Sequence, residues 1–164
     1  MNEAERRLQL DAFLPYKLNI VTQAVSQGLA RLYAEEFGIS VPEWRIIATL
    51  GQLELGEEMT SRDISRHSRM GKVMTSRAAT TLARRRLMTR RINRDDRRET
   101  LLRLTDKGQD MYRAIVPRAI AYQARLEEGL SRADAAALDR IIAHLMKHAE
   151  DHETLQRNGE RLYD

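Results

Sequence analysis

Cysteine is absent from the 164 residues. That excludes disulfides, thiolate catalysis, thiol redox sensing and cysteine-ligated zinc. Aromatic residues make up only 5% of the chain, with a single tryptophan, although apolar residues reach 42%. A core must therefore be built from Leu, Ile, Val, Ala and Met. No apolar run approaches the ~18 residues of a membrane span. The start, Met1-Asn2-Glu3-Ala4-Glu5, is acidic and has no apolar signal region. The expectation is a cytoplasmic protein without a membrane partner. There is no glycine-rich phosphate loop and no convincing acid–base pair, so no catalytic residue, enzymatic activity or cofactor is expected. No internal repeat or low-complexity stretch interrupts the chain.

What is present in excess is positive charge in one place. The net charge is +4. Residues 60–105 hold 14 Lys/Arg against 4 Asp/Glu, an excess of ten, whereas residues 1–59 and 106–164 are both net acidic. Ordinary solvated faces mix both signs, so a basic block inside acidic flanks points to phosphate as the partner.

Periodicity orders the elements. Leu14, Leu18, Val21, Val25, Leu29 and Leu32 recur at helical spacing, predicting a helix from about Ala12 to Glu36 with Asp11 as N-cap. Gly38 stops it. Ser40-Val41-Pro42-Glu43 reads as a capping box opening a second helix to about Gly51. Thr60-Ser61-Arg62-Asp63 opens a short third helix to His67. After a turn over Ser68–Gly71, a fourth runs from Lys72 to about Arg85. On it, Lys72, Ser76, Ala79 and Ala83 form a small, polar side suited to a groove. Strand-like runs, Leu87–Asn93 and Thr100–Thr105, flank the charged tip Arg94-Asp95-Asp96-Arg97-Arg98. Asp106 to about Glu128 forms a helix expected to bend at Pro117. Ser131-Arg132-Ala133-Asp134 caps the last, whose stripe is Leu138, Ile141, Ile142, Leu145 and Ala149.

Two helices joined by a turn of about four residues, followed at once by a basic hairpin, describe a winged helix-turn-helix. The fold class is mainly α with a small β-hairpin wing. The expected organisation is an N-terminal dimerisation helix (1–36), a DNA-binding domain (37–105) and C-terminal dimerisation helices (106–164). A helix fits the major groove, about 12 Å wide, while a hairpin reaches the adjacent minor groove.

Over roughly residues 10–150 the sequence resembles the MarR family of multiple antibiotic resistance regulators. Gly71-Lys72-Val73-Met74-Thr75-Ser76-Arg77 is similar to the family's recognition-helix opening. Asp96-Arg97-Arg98, followed by Leu102-Arg103-Leu104-Thr105-Asp106-Lys107-Gly108, is similar to its wing and exit. Three positions depart from the pattern: Asn93-Arg94 replaces the aspartate-proline that often opens the wing tip, and Arg69 and Arg86 stand where glycine is often found. These departures put loop geometry in question and add positive charge.

The expected DNA contacts are Lys72, Ser76 and Arg77 in the major groove and on adjacent phosphates, Thr75 and Thr80 on phosphates, and Arg94, Arg97 and Arg98 on the wing. Asp96 is expected to orient a neighbouring arginine. His67 is expected to pack or to touch a phosphate. The resemblance implies a homodimeric regulator on a palindromic double-stranded operator, a repressor released by a small-molecule effector. Tyr16, Trp44, Arg45 and Tyr112 are candidate walls of the effector pocket, with plain core the favoured role of Trp44. Phe13–Leu18 and Pro42–Arg45 resemble members that respond to aromatic acids or their coenzyme A thioesters. His144, His148 and His152 recur every four residues. An interface or solvated role is favoured for them over metal ligation, and no metal is expected. A competing reading is an architectural protein that coats nucleic acid without sequence choice or effector.

Overall fold

The computed structural model describes the backbone of residues 8–157 and side chains of residues 8–150. Within that range the elements are α1 (Leu14–Phe37), α2 (Val41–Gly51), β1 (Met59–Thr60), α3 (Ser61–His67), α4 (Lys72–Arg84), β2 (Met88–Ile92), β3 (Thr100–Leu104), α5 (Asp106–Leu126) and α6 (Arg132–Arg157). The mainly helical class with a β wing is as expected.

Boundaries follow local chemistry. α1 starts two residues later than expected, with Phe13 as N-cap, and Asp11 lies in a short 3-10 turn over Leu10–Ala12. Proline lacks an N–H and clashes inside a helix, so the start shifts until Pro15 falls in the first turn. Gly38 ends α1 at φ 61°. The predicted capping box of α2 is formed: Ser40 N donates to the Glu43 carboxylate at 2.7 Å, and Glu43 N donates back to Ser40 Oγ at 3.4 Å. α5 runs through Pro117 as a single helix and stops at Leu126, two residues short of expectation.

The sheet has strand order β1-β3-β2, all antiparallel. Two residues of β1 are too few to show a period, so the sequence predicts only a hairpin where the structure has a third strand.

The chain divides into two compact units, residues 1–120 and 121–164. The first holds a continuous core in which Ile46, Ile47, Ile64, Leu82, Leu87 and Ile115 are fully buried. The C-terminal half of α1 packs on this core through Leu29, Leu32 and Phe37, while Leu14, Leu18 and Val21 nearer its start are exposed. In the second unit Leu138, Ile141, Ile142 and Met146 of α6 are exposed.

Two close approaches fix the frame. A Cβ on Gly108 would lie 2.0 Å from the Leu87 carbonyl oxygen, so only glycine lets the first turn of α5 lie against the root of β2. The preceding Thr105 locks the same junction, its hydroxyl donating to the Arg86 carbonyl at 2.7 Å and its N–H to Leu87 O at 3.1 Å. On Gly51, a Cβ would meet the Tyr112 ring at 2.5 Å, which places α2 directly against α5.

The two arginines at glycine-type positions keep the turn geometry. Arg69 has φ 52° and Arg86 φ 59°. A residue with a Cβ in the left-handed region costs ~1 kcal/mol, so each turn carries strain that glycine would not.

Candidate nucleic-acid interface

The α3–α4 turn is held from inside. Ser68 Oγ donates to Ile64 O at 2.6 Å and Ser65 Oγ to Met70 O at 2.5 Å. These bonds close α3 and aim the N-terminus of α4 outward. α2, α3 and α6 are each capped by a side chain with an acid in the first turn, Glu43, Asp63 and Asp134. α4 has neither: its N-cap is Gly71, and Lys72 opens the helix. The fold does not require this glycine, because φ is an ordinary −67° and a Cβ would meet nothing within 4 Å. The first-turn N–H groups of α4 are therefore left open, an electropositive end beside a lysine.

The start of α4, one face of α3 and the wing enclose a cleft of about 570 Å³ lined by Arg62, Arg66, Lys72, Ser76, Arg90 and Arg98. Glu99 also lines it and pairs with Arg62 at 3.4 Å, tying the wing to α3. Arg90 donates to Thr80 Oγ1 at 2.9 Å, tying β2 to α4. Two contacts thus set the angle between wing and recognition helix while three further cations, Arg66, Lys72 and Arg98, line the space between them.

Arg91 and Glu58 form a double hydrogen bond, Arg91 Nε to Glu58 Oε1 at 2.8 Å and Arg91 Nη2 to Oε2. The hydrogen bonds from Arg91 hold the Glu58 carboxyl below its ordinary range, and the charges of Arg91 and Arg103 act in the same direction against slight desolvation. At the wing tip Asn93 Oδ1 accepts from Asp95 N at 3.1 Å. This side-chain turn replaces the rigidity an aspartate-proline would supply. Asp96 accepts from the backbone N–H of Arg98 at 2.9 Å, so it orders the tip through the main chain rather than through a guanidinium.

The expected contacts divide. Lys72, Ser76 and Arg98 converge on the cleft. Arg77 lines a neighbouring cavity of about 550 Å³ with Pro42, Val73 and Met74. Arg94 and Arg97 are exposed at the tip, and Thr80 is exposed and bonded to Arg90. Thr75 is fully buried, and its hydroxyl donates to Gly71 O at 3.2 Å, so it faces away from any phosphate. Ala79 is likewise core, at 1% exposure, which corrects the predicted groove side of α4 to Lys72, Val73, Ser76, Arg77 and Thr80. Arg62, Arg66 and Arg90 were not anticipated. The four-residue spacing of Arg62 and Arg66, one residue after Ser61 and Ser65, carried that signal.

The effector candidates do not form one wall. Trp44 and Tyr112, half-buried against the core, stack at 6.1 Å, and Trp44 meets the buried Tyr33 at 5.2 Å. Arg45 turns elsewhere, donating to Ser68 O at 3.4 Å. Tyr16 is exposed near the start of α1. The His144 and His148 rings lie 4.1 Å apart, tilted by 34°, with His148 Nδ1 3.0 Å from His144 O; the side chain of His152 lies outside the described residues. No helix among the described residues is long and apolar enough to cross a membrane.

Comparisons with known proteins agree with this geometry. Residues 40–108 match the family model described as a winged helix DNA-binding domain. A MarR/EmrR family transcriptional regulator from Acinetobacter sp. ADP1 is similar at TM-score 0.78 and 22% identity, covering 88% of this chain and 99% of that one. Staphylococcus aureus MepR, solved with DNA, is similar at TM-score 0.75 and 18% identity, over 83% of this chain and 98% of that one. The PcaV transcriptional regulator from Streptomyces coelicolor, solved with its natural ligand, is similar at TM-score 0.75 and 18% identity, over 87% and 98%. A comparison with curated proteins gives no match. The resemblance seen in the sequence thus extends to the fold of MarR family transcriptional regulators.

Proposed function

We propose that this chain, a winged helix DNA-binding protein with the fold of the MarR family transcriptional regulators, is a cytoplasmic homodimeric repressor of a palindromic operator, released by a small-molecule effector. The observation that carries the DNA-binding part is the basic cleft shared by α3, the open N-terminus of α4 and the wing. Lys72, Ser76 and Arg77 address the major groove and its phosphates, Thr80 a flanking phosphate, and Arg94, Arg97 and Arg98 the minor groove. The exposed apolar residues of α1 and α6 support residues 1–36 and 106–164 as the dimerisation segments. Two-fold symmetry then sets recognition helices on half-sites about one helical turn, roughly 10 bp, apart. For the effector, the Trp44–Tyr112 stack offers the flat apolar face that an aromatic acid or an acyl thioester needs, with Tyr16 and Arg45 contributing only after rearrangement. The ligand complex of PcaV supports such a response by analogy.

The test is fluorescence anisotropy on palindromic and random duplexes across a salt series. If about three or four phosphates are neutralised per subunit, the log–log slope lies near −5 to −7. A strong preference for one palindrome supports the repressor; equal affinity for all duplexes favours an architectural coat. A flat salt response overturns both. A thermal-shift screen of phenolic acids and acyl thioesters, repeated on Trp44→Ala, tests the effector site.

A further inference from the structure

An apolar side chain stands at the middle of the outward face of α4. Thr75, Ala78, Ala79 and Leu82 are the buried residues of that helix. At about 100° of rotation per residue they fill one arc, and Val73 projects roughly opposite its middle. Val73 is 66% exposed. The same rotation places Lys72, Ser76 and Thr80 on one side of it and Arg77 on the other, all of them exposed. Packing within the domain does not call for valine here. Helix propensity argues against it, because a β-branched side chain loses rotamer freedom in a helix. Lys72 and Ser76 line the main cleft, while Val73 and Arg77 line the neighbouring cavity of about 550 Å³. Glu43, the carboxylate of that cavity, is buried and held in the capping box. Val73 therefore sits where the two surfaces meet, flanked by cations and hydroxyls.

We propose that Val73 reads thymine: its side chain packs on the 5-methyl group of one thymine in each half-site, while Lys72 and Arg77 hold the flanking phosphates. The proposal deepens the DNA-binding reading above and rests on it. Val73 is the second residue of α4, and the N-terminal residues of a recognition helix are the ones that meet base edges. Among the groups displayed in the major groove, the thymine methyl is the apolar one. Against a cytosine amino group or a purine acceptor, valine would cover polar atoms that it cannot bond. It thus selects by rejection as well as by contact. Met74 supplies an internal comparison. It is also apolar and exposed, but it lies about 100° further round the helix, at the edge of the outward face.

The experiment uses the full chain and a duplex that the wild type selects from a random-sequence pool. Each thymine is replaced in turn by uracil, which pairs identically and lacks only the methyl. Fluorescence anisotropy then reads affinity for wild type, Val73→Ala and Met74→Ala. In the wild type, one replacement in each half-site should weaken binding about fourfold, the worth of one buried methyl. Val73→Ala should bind the thymine duplex several-fold less tightly and lose most of the distinction at that position, so the two changes are not additive. Its Tm should match that of the wild type. Met74→Ala should keep the wild-type distinction. Uracil tolerated at every position overturns the proposal. So does a Val73→Ala protein that keeps the wild-type loss, or a Met74→Ala protein that abolishes it. A clear fall in Tm for Val73→Ala also overturns it, by making the side chain a packing residue. A selected duplex without thymine overturns it and leaves DNA binding intact. A wild type that binds no duplex, or draws no preferred sequence from the pool, condemns the sequence-specific reading, and this one with it.

Discussion

The winged domain and the last helix treat the same kinds of residue in opposite ways. The fifteen buried apolar side chains of the described structure all lie between Tyr33 and Ile115. α6 carries Leu138, Ile141, Ile142 and Met146 at helical spacing, yet each is at least 43% exposed. The domain therefore stabilises itself, while the apolar stripe of α6 gains little from its own unit. Burial at about 25 cal/mol per Å² would stabilise the stripe only against another surface. Stability of the two regions should accordingly respond to different variables, sequence in one and protein concentration in the other.

The harshest test of the domain's self-sufficiency is Gly108→Val. Its Cβ would overlap the Leu87 carbonyl, and backbone cannot yield as a side chain does, so a loss of ~3 kcal/mol or more is expected in urea unfolding. Next, Ile46→Ala should cost about 2–5 kcal/mol at any protein concentration. Ile141→Glu should leave the domain's intrinsic stability almost unchanged while halving the mass seen by light scattering and removing the concentration dependence of Tm. If Ile141→Glu remains a dimer, the contrast between the regions loses its functional meaning. A smaller effect is expected of Gly71→Asp. A cap and a charge at the open end of α4 should stabilise by ~0.5–1 kcal/mol and weaken DNA binding, a trade that calorimetry and anisotropy read together. The smallest concerns Glu58. Its folded carboxyl titrates lower than in the unfolded chain, because Arg91 bonds its charged form. The stability it contributes is fully present above the ordinary glutamate value of 4.5 and is lost as pH falls through the lower folded value. Glu58→Gln should remove this small contribution at neutral pH and flatten the acid limb of the stability curve, so that variant and wild type converge at low pH.

Most of the fold was legible because its signals are local. Caps at Ser40, Thr60 and Ser131, each with an acid three residues on, mark helix starts that the structure reproduces. The Thr105–Gly108 run was legible as a pattern, and its cause, an approach of α5 to the Leu87 carbonyl, needs three dimensions. The site was read less well. Thr75 looks like a hydroxyl for phosphate, but one residue is 100° of helix rotation, and that places it in the core beside Ala78 and Leu82. Arg45 follows Trp44 in sequence and so faces another element, the turn after α3. Adjacent helical residues do not share a face, which is why Trp44 meets Tyr112 while Arg45 does not. β1 escaped because two residues carry no period, though they make β3 a central strand.

That central position gives the wing a particular mechanical character. β3 is paired on both edges and carries Leu102 and Leu104 into the core, whereas residues 93–99 are tied mainly by short turns among themselves. The hairpin is a stiff root with an arginine-rich tip. Trypsin should meet Arg94, Arg97 and Arg98 before any bond of the sheet. A cut there opens a loop without removing a ladder bond or a buried side chain. The nicked protein should run as two fragments in detergent and as one species in native buffer. If the proposed DNA contact of the tip is right, duplex DNA should protect it, and the rate of cleavage there becomes a clock for occupancy of the wing.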